Sequence, residues 1–472
     1  MANETETARR SSVHGMWSSR LVFILAATGS AVGLGNIWKF PYITGEYGGG
    51  AFVLVYLVCI ALIGVPIMMA EVMLGRRGRQ SPINTMRALA AAENRSSAWA
   101  MLGWLGVAAG FLILSYYSVI AGWALSYVFH AAVGTFDGQT ADGVASIFNG
   151  LTGDPEKLIA WHSIFIFITM AIVAQGVKKG LERTVTYLMP ALAGMLVVLV
   201  IYALNNADFR AGFEFLFYPD FSKISPDAVL AAMGHAFFTL SLGMGAIMIY
   251  GSYMPENASI GSTCIIIAIA DTVVALLAGL AIFPLVFAYG LEPGQGAGLI
   301  FSTLPIAFGQ MPWGSFFGTL FFLLLTIAAL TSAISLIEPA VAWLVENKSL
   351  SRVRASIYSG LGVWVLGLGS VLSFNVWSEK TLSLTIKIGE TVIPLVEKAT
   401  FFDSIDYLTS SIMLPLGGLL IALFAGYSMS TASTKQELAL KDDAYKVWRV
   451  LVRYITPVLV LIVFLHALGM FD

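Results

Sequence analysis

Gly29-Ser30-Ala31-Val32-Gly33-Leu34-Gly35-Asn36 and Ser241-Leu242-Gly243-Met244-Gly245-Ala246 interrupt two long apolar stretches, one in each half of the chain. A helix broken inside lipid leaves backbone N–H and C=O groups unpaired, at a cost of several kcal/mol each. Such breaks persist where the freed groups bind something. A matched pair in two halves of one chain points to a transporter-type binding site between repeats.

The rest of the chain places both stretches in a membrane. Of 472 residues, 58% are hydrophobic and 11% charged, and the mean hydropathy is +0.82. Soluble domains carry about 25% charged residues. A net charge of −2 offers nothing to nucleic acid. Cys59 and Cys264 both lie in apolar runs and read as packing residues, not as a disulfide or metal pair. Residues 1–20 are polar and basic without a cleavage site, and read as a cytoplasmic tail.

Spanning runs begin near Leu21, Phe52, Gly103, Trp161, Thr184, Val229, Gly261, Ser315, Ile357, Ile405 and Trp448, which makes eleven. Ile300 to Phe308, with Pro305 inside and Pro312 after it, reads as a hairpin in an external loop. With the N-terminus inside, 19 of the 26 Lys and Arg residues fall in inside segments. The expectation is an all-α integral membrane protein of the cell membrane, multi-pass, with the N-terminus cytoplasmic and Asp472 outside. Its eleven transmembrane helices form a 5+5 inverted repeat with helices 1 and 6 broken. Residues 1–20 are the tail, 21–205 the first repeat, 206–228 an extracellular loop, 229–428 the inverted second repeat, and 429–472 a cytoplasmic loop with the last span.

The run Gly29-Ser-Ala-Val-Gly-Leu-Gly-Asn36-Ile-Trp-Lys-Phe-Pro41, followed by Gly48-Gly-Gly-Ala-Phe52, resembles the neurotransmitter:sodium symporter family. So do Phe237-Phe-Thr-Leu-Ser-Leu-Gly-Met-Gly245, Ala328-Ala-Leu-Thr-Ser332 and Asp403-Ser-Ile-Asp406. The resemblance covers essentially the whole chain and is strongest to bacterial amino acid transporters, those for leucine and for multiple hydrophobic amino acids among them.

The freed N–H groups near Leu34 and Gly35 open a half-helix whose positive end attracts an anion such as a carboxylate. The resemblance implies the same role for them, with the Tyr117 hydroxyl as a further donor. It implies that carbonyls of Ala31, Phe238 and Thr239, with Ser241, take a substrate amine. It implies two sodium sites, one at Ala31, Asn36, Thr239 and Asp271, the other at Gly29, Val32, Ala328, Thr331 and Ser332. By themselves, Thr331 and Ser332 could simply bond back to their own helix.

Asp271 departs from the family's asparagine. A carboxylate inside a membrane costs at least about 2.5–3.5 kcal/mol and is a functional candidate; the alternative is a structural pair with His235. In animal relatives a chloride sits beside the first sodium. Here Tyr56 is retained, His235 replaces a glutamine and Ala275 a serine. The expectation is that Asp271 does chloride's work and no chloride is required. A second expectation is that Asp271 or His235 takes a proton on the return step.

Gly33 stands where monoamine members carry an aspartate, so the substrate should bring its own carboxylate. The side-chain pocket maps to Ser30, Ile113, Phe238, Met244, Ser332, Ala333 and Leu336, none charged. Neutral, hydrophobic or aromatic L-amino acids fit; a small substrate such as glycine, alanine, taurine or another osmolyte is the alternative. Lys39 and Asp406 match an outer gate in which arginine is usual. Trp17, Tyr253 and Glu346 match an inner gate whose arginine is replaced by His14, with Arg9 and Arg10 near in sequence. Gly180 and Pro190 match a motif for local unwinding that opens a water path to the second sodium. No enzyme-like polar cluster occurs, and a channel would show no saturation or coupling. The expected partners are an amino acid and the lipid bilayer, not nucleic acid; a homodimer is left open.

Overall fold

The computed structural model describes residues 12–293, 298–388 and 391–468. Arg9, Arg10 and Asp472 therefore lie outside the described residues. The chain is almost wholly helical. Among the described residues, nine helices are long and apolar enough to cross a membrane. They are α3 (Gly50–Gly78), α5 (Ser97–Ala132), α6 (Pro155–Ala174), α7 (Val177–Asn206), α10 (Ile260–Ala288), α12 (Gly314–Lys348), α13 (Arg352–Ser373), α14 (Phe401–Ser428) and α15 (Asp442–Ala467). A bent pair, α1 (Arg20–Ala31) and α2 (Gly35–Glu46), turns by 51° and counts as a tenth.

The sixth expected span is divided into α8 (Pro226–Thr239) and α9 (Ala246–Ser252), on either side of the second glycine break. Neither piece reaches bilayer length by itself, so the expected eleven is met only if these two are read as one broken span. Between the long helices run α4 (Pro82–Ala92) and α11 (Leu299–Gln310). The latter is too short to span, as expected, but it is one continuous helix and not the expected hairpin; Leu299, Phe301, Leu304 and Phe308 on it are buried.

The all-helical expectation misses one element. β1 (Leu382–Ile388) and β2 (Thr391–Ala399) pair antiparallel between α13 and α14. Leu382, Leu384, Ile386 and Ile388 alternate with Ser383, Thr385 and Lys387, which is strand periodicity.

Burial sets the layers. In α12, 72% of the most apolar window is buried, against 28% in α15, so α12 runs through the centre and α15 at the rim. α12 packs along α5 and touches both breaks' neighbours. Phe167, Ile201, Leu361, Val365 and Val458 point outward from the peripheral helices, an apolar exterior suited to lipid tails.

The two breaks have different causes. After α1, Val32 adopts extended backbone (φ −69°, ψ 103°) and the helix resumes at Gly35. After α8, Ser241, Gly243 and Gly245 take φ of 54°, 79° and 74°, a left-handed region that glycine enters without steric cost. Gly243 also lies tight on α14, where an added Cβ would stand 2.6 Å from the Leu414 carbonyl.

Candidate functional site

The first break gathers oxygen atoms. Ser332 Oγ, on α12, donates to the Ser30 carbonyl at 3.1 Å, with the carbonyls of Val32 and Gly29 at 3.4 and 3.5 Å. Thr331 Oγ1 donates to the Ala328 carbonyl at 3.0 Å, and its Cβ lies 3.4 Å from where a Cβ on Gly29 would stand. The residues expected around the second sodium are thus brought together from α1 and α12. Met189, beside Pro190 in α7, caps the cluster: its sulfur would be 2.9 Å from a Cβ on Gly29. Gly180 lies in a wide helical turn, Val177–Glu182, that opens the start of the same helix.

Asp271, on α10, is fully buried. Its Oδ1 accepts from Asn36 Nδ2 at 2.8 Å and its Oδ2 from Thr239 Oγ1 at 2.9 Å, with the Tyr56 hydroxyl at 3.5 Å. Asn36 Oδ1 accepts from the Gly33 N–H at 3.1 Å. One carboxylate therefore links α10 to both broken helices. The alternative pairing with His235 does not form. Among the described residues neither His235 ring nitrogen has a hydrogen-bond partner, and the ring packs on Phe40 and Tyr56 at centroid distances of 5.9 and 5.4 Å. Both Asp271 oxygens are already engaged, by the asparagine and the threonine.

Between the breaks lies a cavity lined by all the expected pocket residues except Thr239 and Ala333, with Gly33 added. Thr239 turns to Asp271 instead, and Ala333 is buried on α12. The lining carries no charge. Tyr117 OH accepts from the Leu34 N–H at 3.3 Å. Ser241 Oγ donates to the Ser30 carbonyl at 2.8 Å, so one break is bonded directly to the other. Gly33 is tightly covered: a Cβ there would stand 2.4 Å from Ser332 Oγ and 3.0 Å from Tyr117 OH.

A second cavity adjoins the first and shares Leu34, Tyr117 and Phe238 with it, so these three separate the two spaces. Lys39 and Asp406 both line it, but among the described residues they form no ion pair. The Lys39 ammonium rests over the Phe238 ring, 4.6 Å from its centroid, and Asp406 accepts from Ser410 Oγ at 2.9 Å. A cation on a ring face is stabilised without a carboxylate, and a flexible lysine lacks arginine's fixed fork. The expected latch is open here.

At the opposite end the expected gate residues divide into two clusters. Glu346 accepts from His14 Nε2 at 3.0 Å, from the Ser81 N–H at 2.7 Å and hydroxyl at 2.5 Å, and from Asn84 Nδ2 at 2.7 Å. His14 thus occupies the partner position that arginine would fill. Trp17 Nε1 donates to the Tyr250 carbonyl at 3.1 Å. Tyr253 turns away from Glu346 and donates to Glu338 at 2.7 Å, whose other oxygen takes Arg352 at 2.5 Å.

Sequence reasoning missed Glu338 and Glu71. Both are carboxylates within apolar runs and fully buried, a signal as strong as that of Asp271. Glu71 Oε2 accepts from the Gly243 N–H at 3.2 Å and so holds the second break from α3.

Comparison with known proteins adds to this geometry. The model of the sodium:neurotransmitter symporter family matches residues 14–140 and 154–472. An uncharacterized sodium-dependent transporter of Bacillus subtilis (strain 168), YhdH, is 38% identical over 457 residues, 96% of this chain and 97% of the relative. Another from Haemophilus influenzae is 34% identical over 460 residues, 96% of this chain and 98% of that one. The crystal structure of MhsT in complex with L-phenylalanine superposes with a TM-score of 0.86 at 45% identity, covering 96% of this chain and 99% of MhsT.

Proposed function

Since this chain belongs to the sodium:neurotransmitter symporter family, whose members are transporters and not enzymes, we propose that it carries neutral, hydrophobic or aromatic L-amino acids across the cell membrane by sodium-coupled symport, without chloride. The observation that carries the reading is the uncharged cavity between the two breaks, lined by Ser332, with Asp271 bonded to Asn36 and Thr239 on the same two broken helices. A charged side chain would be stranded there without a partner. An α-carboxylate meets the N–H groups of Leu34 and Gly35 and the Tyr117 hydroxyl. The amine meets the carbonyls of Ala31, Phe238 and Thr239, with Ser241. MhsT, whose structure holds L-phenylalanine, supports the substrate class.

Sodium is cargo. One ion takes Ala31, Asn36, Thr239 and Asp271; the other takes Gly29, Val32, Ala328, Thr331 and Ser332. Asp271 supplies next to the first ion the negative charge that chloride supplies in animal relatives. The two halves, residues 21–205 and 229–428, would move against each other as inverted repeats, with the N-terminus cytoplasmic. One charge crossing 100 mV gains about 2.3 kcal/mol, so two sodium ions with a zwitterion gain about 4.6 kcal/mol, on the order of 10³-fold accumulation.

Thermal stabilisation of the purified protein by a panel of all amino acids, in NaCl against KCl, tests this. Stabilisation by neutral apolar amino acids in NaCl alone is expected. No sodium-dependent stabilisation by any amino acid would refute the reading.

A further inference from the structure

We propose that Arg453, held between two tyrosine rings where α14 meets α15, binds the phosphate of an acidic phospholipid in the leaflet at the N-terminal end of the bundle. The inference goes beyond the transport reading and needs only the membrane placement of α15.

Arg453 stands between the charged start of α15, with Asp442, Asp443 and Lys446, and the uncharged run Ile455–Leu465. That is the depth at which headgroups meet hydrocarbon. Its guanidinium carbon lies 4.6 Å from the centre of the Tyr427 ring, on α14, and 5.6 Å from that of Tyr454. The Tyr427 hydroxyl donates to the Arg453 carbonyl at 2.7 Å, so one tyrosine holds both the backbone and the side chain. The helices run close here: an added Cβ on Gly426 would stand 3.3 Å from Arg453 Cα. Each helix carries a wide turn at the contact, Phe424–Ser428 and Leu451–Ile455, a feature that recurs at functional sites.

What this guanidinium lacks is an anion. Among the described residues it makes no hydrogen bond and no ion pair, and its Nε is buried without an acceptor. Ring faces stabilise the cation but leave the N–H donors of its edge unmet, and a buried donor without a partner is costly. The neighbouring arginines are different. Arg449 donates to the Ala425 carbonyl at 3.1 Å and to Thr434 Oγ1 at 3.3 Å, and Arg95 to the Ser428 carbonyl at 3.0 Å. These two close the end of α14. The carboxylates of this face are engaged elsewhere. Glu93 accepts from the Ser430 N–H at 3.0 Å, Asp442 pairs with Lys435 at 2.7 Å and Asp443 with Lys446 at 3.3 Å.

The surroundings choose the ligand. Val447, Val450, Tyr454 and Ile455 are exposed beside Arg453, so the surface there is apolar. A soluble anion would have to leave water to reach it, whereas a lipid phosphate already lies at this depth with its acyl chains along α15. Two phosphate oxygens match the guanidinium fork. The positive charges of Arg95 and Arg449 favour a headgroup of net negative charge over one that carries its own choline cation.

The test is the melting temperature of the purified full chain in neutral detergent as dioleoylphosphatidylglycerol is titrated in, with dioleoylphosphatidylcholine and sodium phosphate as separate arms. Phosphatidylglycerol should stabilise the wild type saturably, and the other two should not. The half-saturating concentration should rise about tenfold in Arg453→Gln, as for loss of a hydrogen-bonded charge. It should rise about threefold in Arg453→Lys, which keeps the charge and tests the fork even where the glutamine variant fails to fold. Lys441→Gln, exposed at the start of the same helix, should match the wild type. Half-saturation unchanged in both Arg453 variants would overturn the proposal. So would an equal loss in Lys441→Gln, which would mean general attraction to a basic surface. Equal stabilisation by phosphatidylcholine, or by phosphate alone, would overturn it in favour of a nonspecific lipid effect or a soluble anion. Neither sodium coupling nor an amino acid enters this readout, so failure of uptake would leave it standing.

Discussion

The two helix breaks solve one problem in opposite ways. At the first, between Ala31 and Gly35, the backbone avoids left-handed angles, and its freed groups meet side-chain hydroxyls and an amide: Ser332, Tyr117 and Asn36. At the second, three residues adopt positive φ, Gly243 packs against α14 and Gly245 against Pro82 and Gly106, and the Glu71 carboxyl on α3 accepts from the Gly243 N–H. The first break presents groups that can exchange a protein partner for a ligand. The second is fixed by shape and by a buried hydrogen-bond acceptor, the Glu71 carboxyl. Rigidity on one side and exchangeable polar groups on the other is what a site needs to bind cargo and then release it.

Ways to break this contrast follow in order of expected effect. Asp271→Ala leaves Asn36 and Thr239 without their shared acceptor and removes the charge next to the first break. Sodium affinity should fall by about 100-fold or more, given about 3–5 kcal/mol for breaking a buried charged contact, as read from sodium titration of thermal stability. Glu71→Ala leaves the Gly243 N–H unpaired, at a cost of about 1–3 kcal/mol. Transport should drop by about tenfold or more, while Glu71→Gln, which keeps an acceptor, should stay within about fivefold of wild type. Comparable losses in the two variants would show that charge, not the hydrogen bond, holds the second break.

Gly33→Ala forces Ser332 aside, since the new Cβ would lie 2.4 Å from its hydroxyl. Overpacking of about 1–3 kcal/mol predicts roughly tenfold weaker substrate binding by isothermal titration. Tyr117→Phe removes one hydroxyl beside the Leu34 N–H. A loss of about 1 kcal/mol corresponds to about fivefold weaker binding, with sodium affinity unchanged in the absence of substrate.

Much of this arrangement was legible because polar groups in a membrane are expensive and therefore stand out. Asn36, Thr239 and Asp271 could be placed together from the resemblance, and the structure brings all three into contact. Glu71 stood out equally in Met68-Met69-Ala70-Glu71, but no motif attached a role to it, and its partner lies 172 residues away. The bond between His14 and Glu346 spans 332 residues and replaces an arginine, so only coordinates could supply it. The open Lys39–Asp406 pair depends on where a long lysine side chain rests, which sequence does not specify. The hairpin of β1 and β2 was hidden because strands of seven and nine residues fall far short of bilayer length and sit in a segment made polar by Glu379, Lys380, Lys387, Glu397 and Lys398, which reads as a loop between spans.

The most direct measurement is uptake of labelled L-phenylalanine into proteoliposomes under an inward sodium gradient, with gluconate in place of chloride, against a potassium control. Accumulation above equilibrium in sodium gluconate, absent in potassium, is the expected result. Equal uptake in potassium, or uptake that collapses without chloride, would contradict a sodium site completed by Asp271.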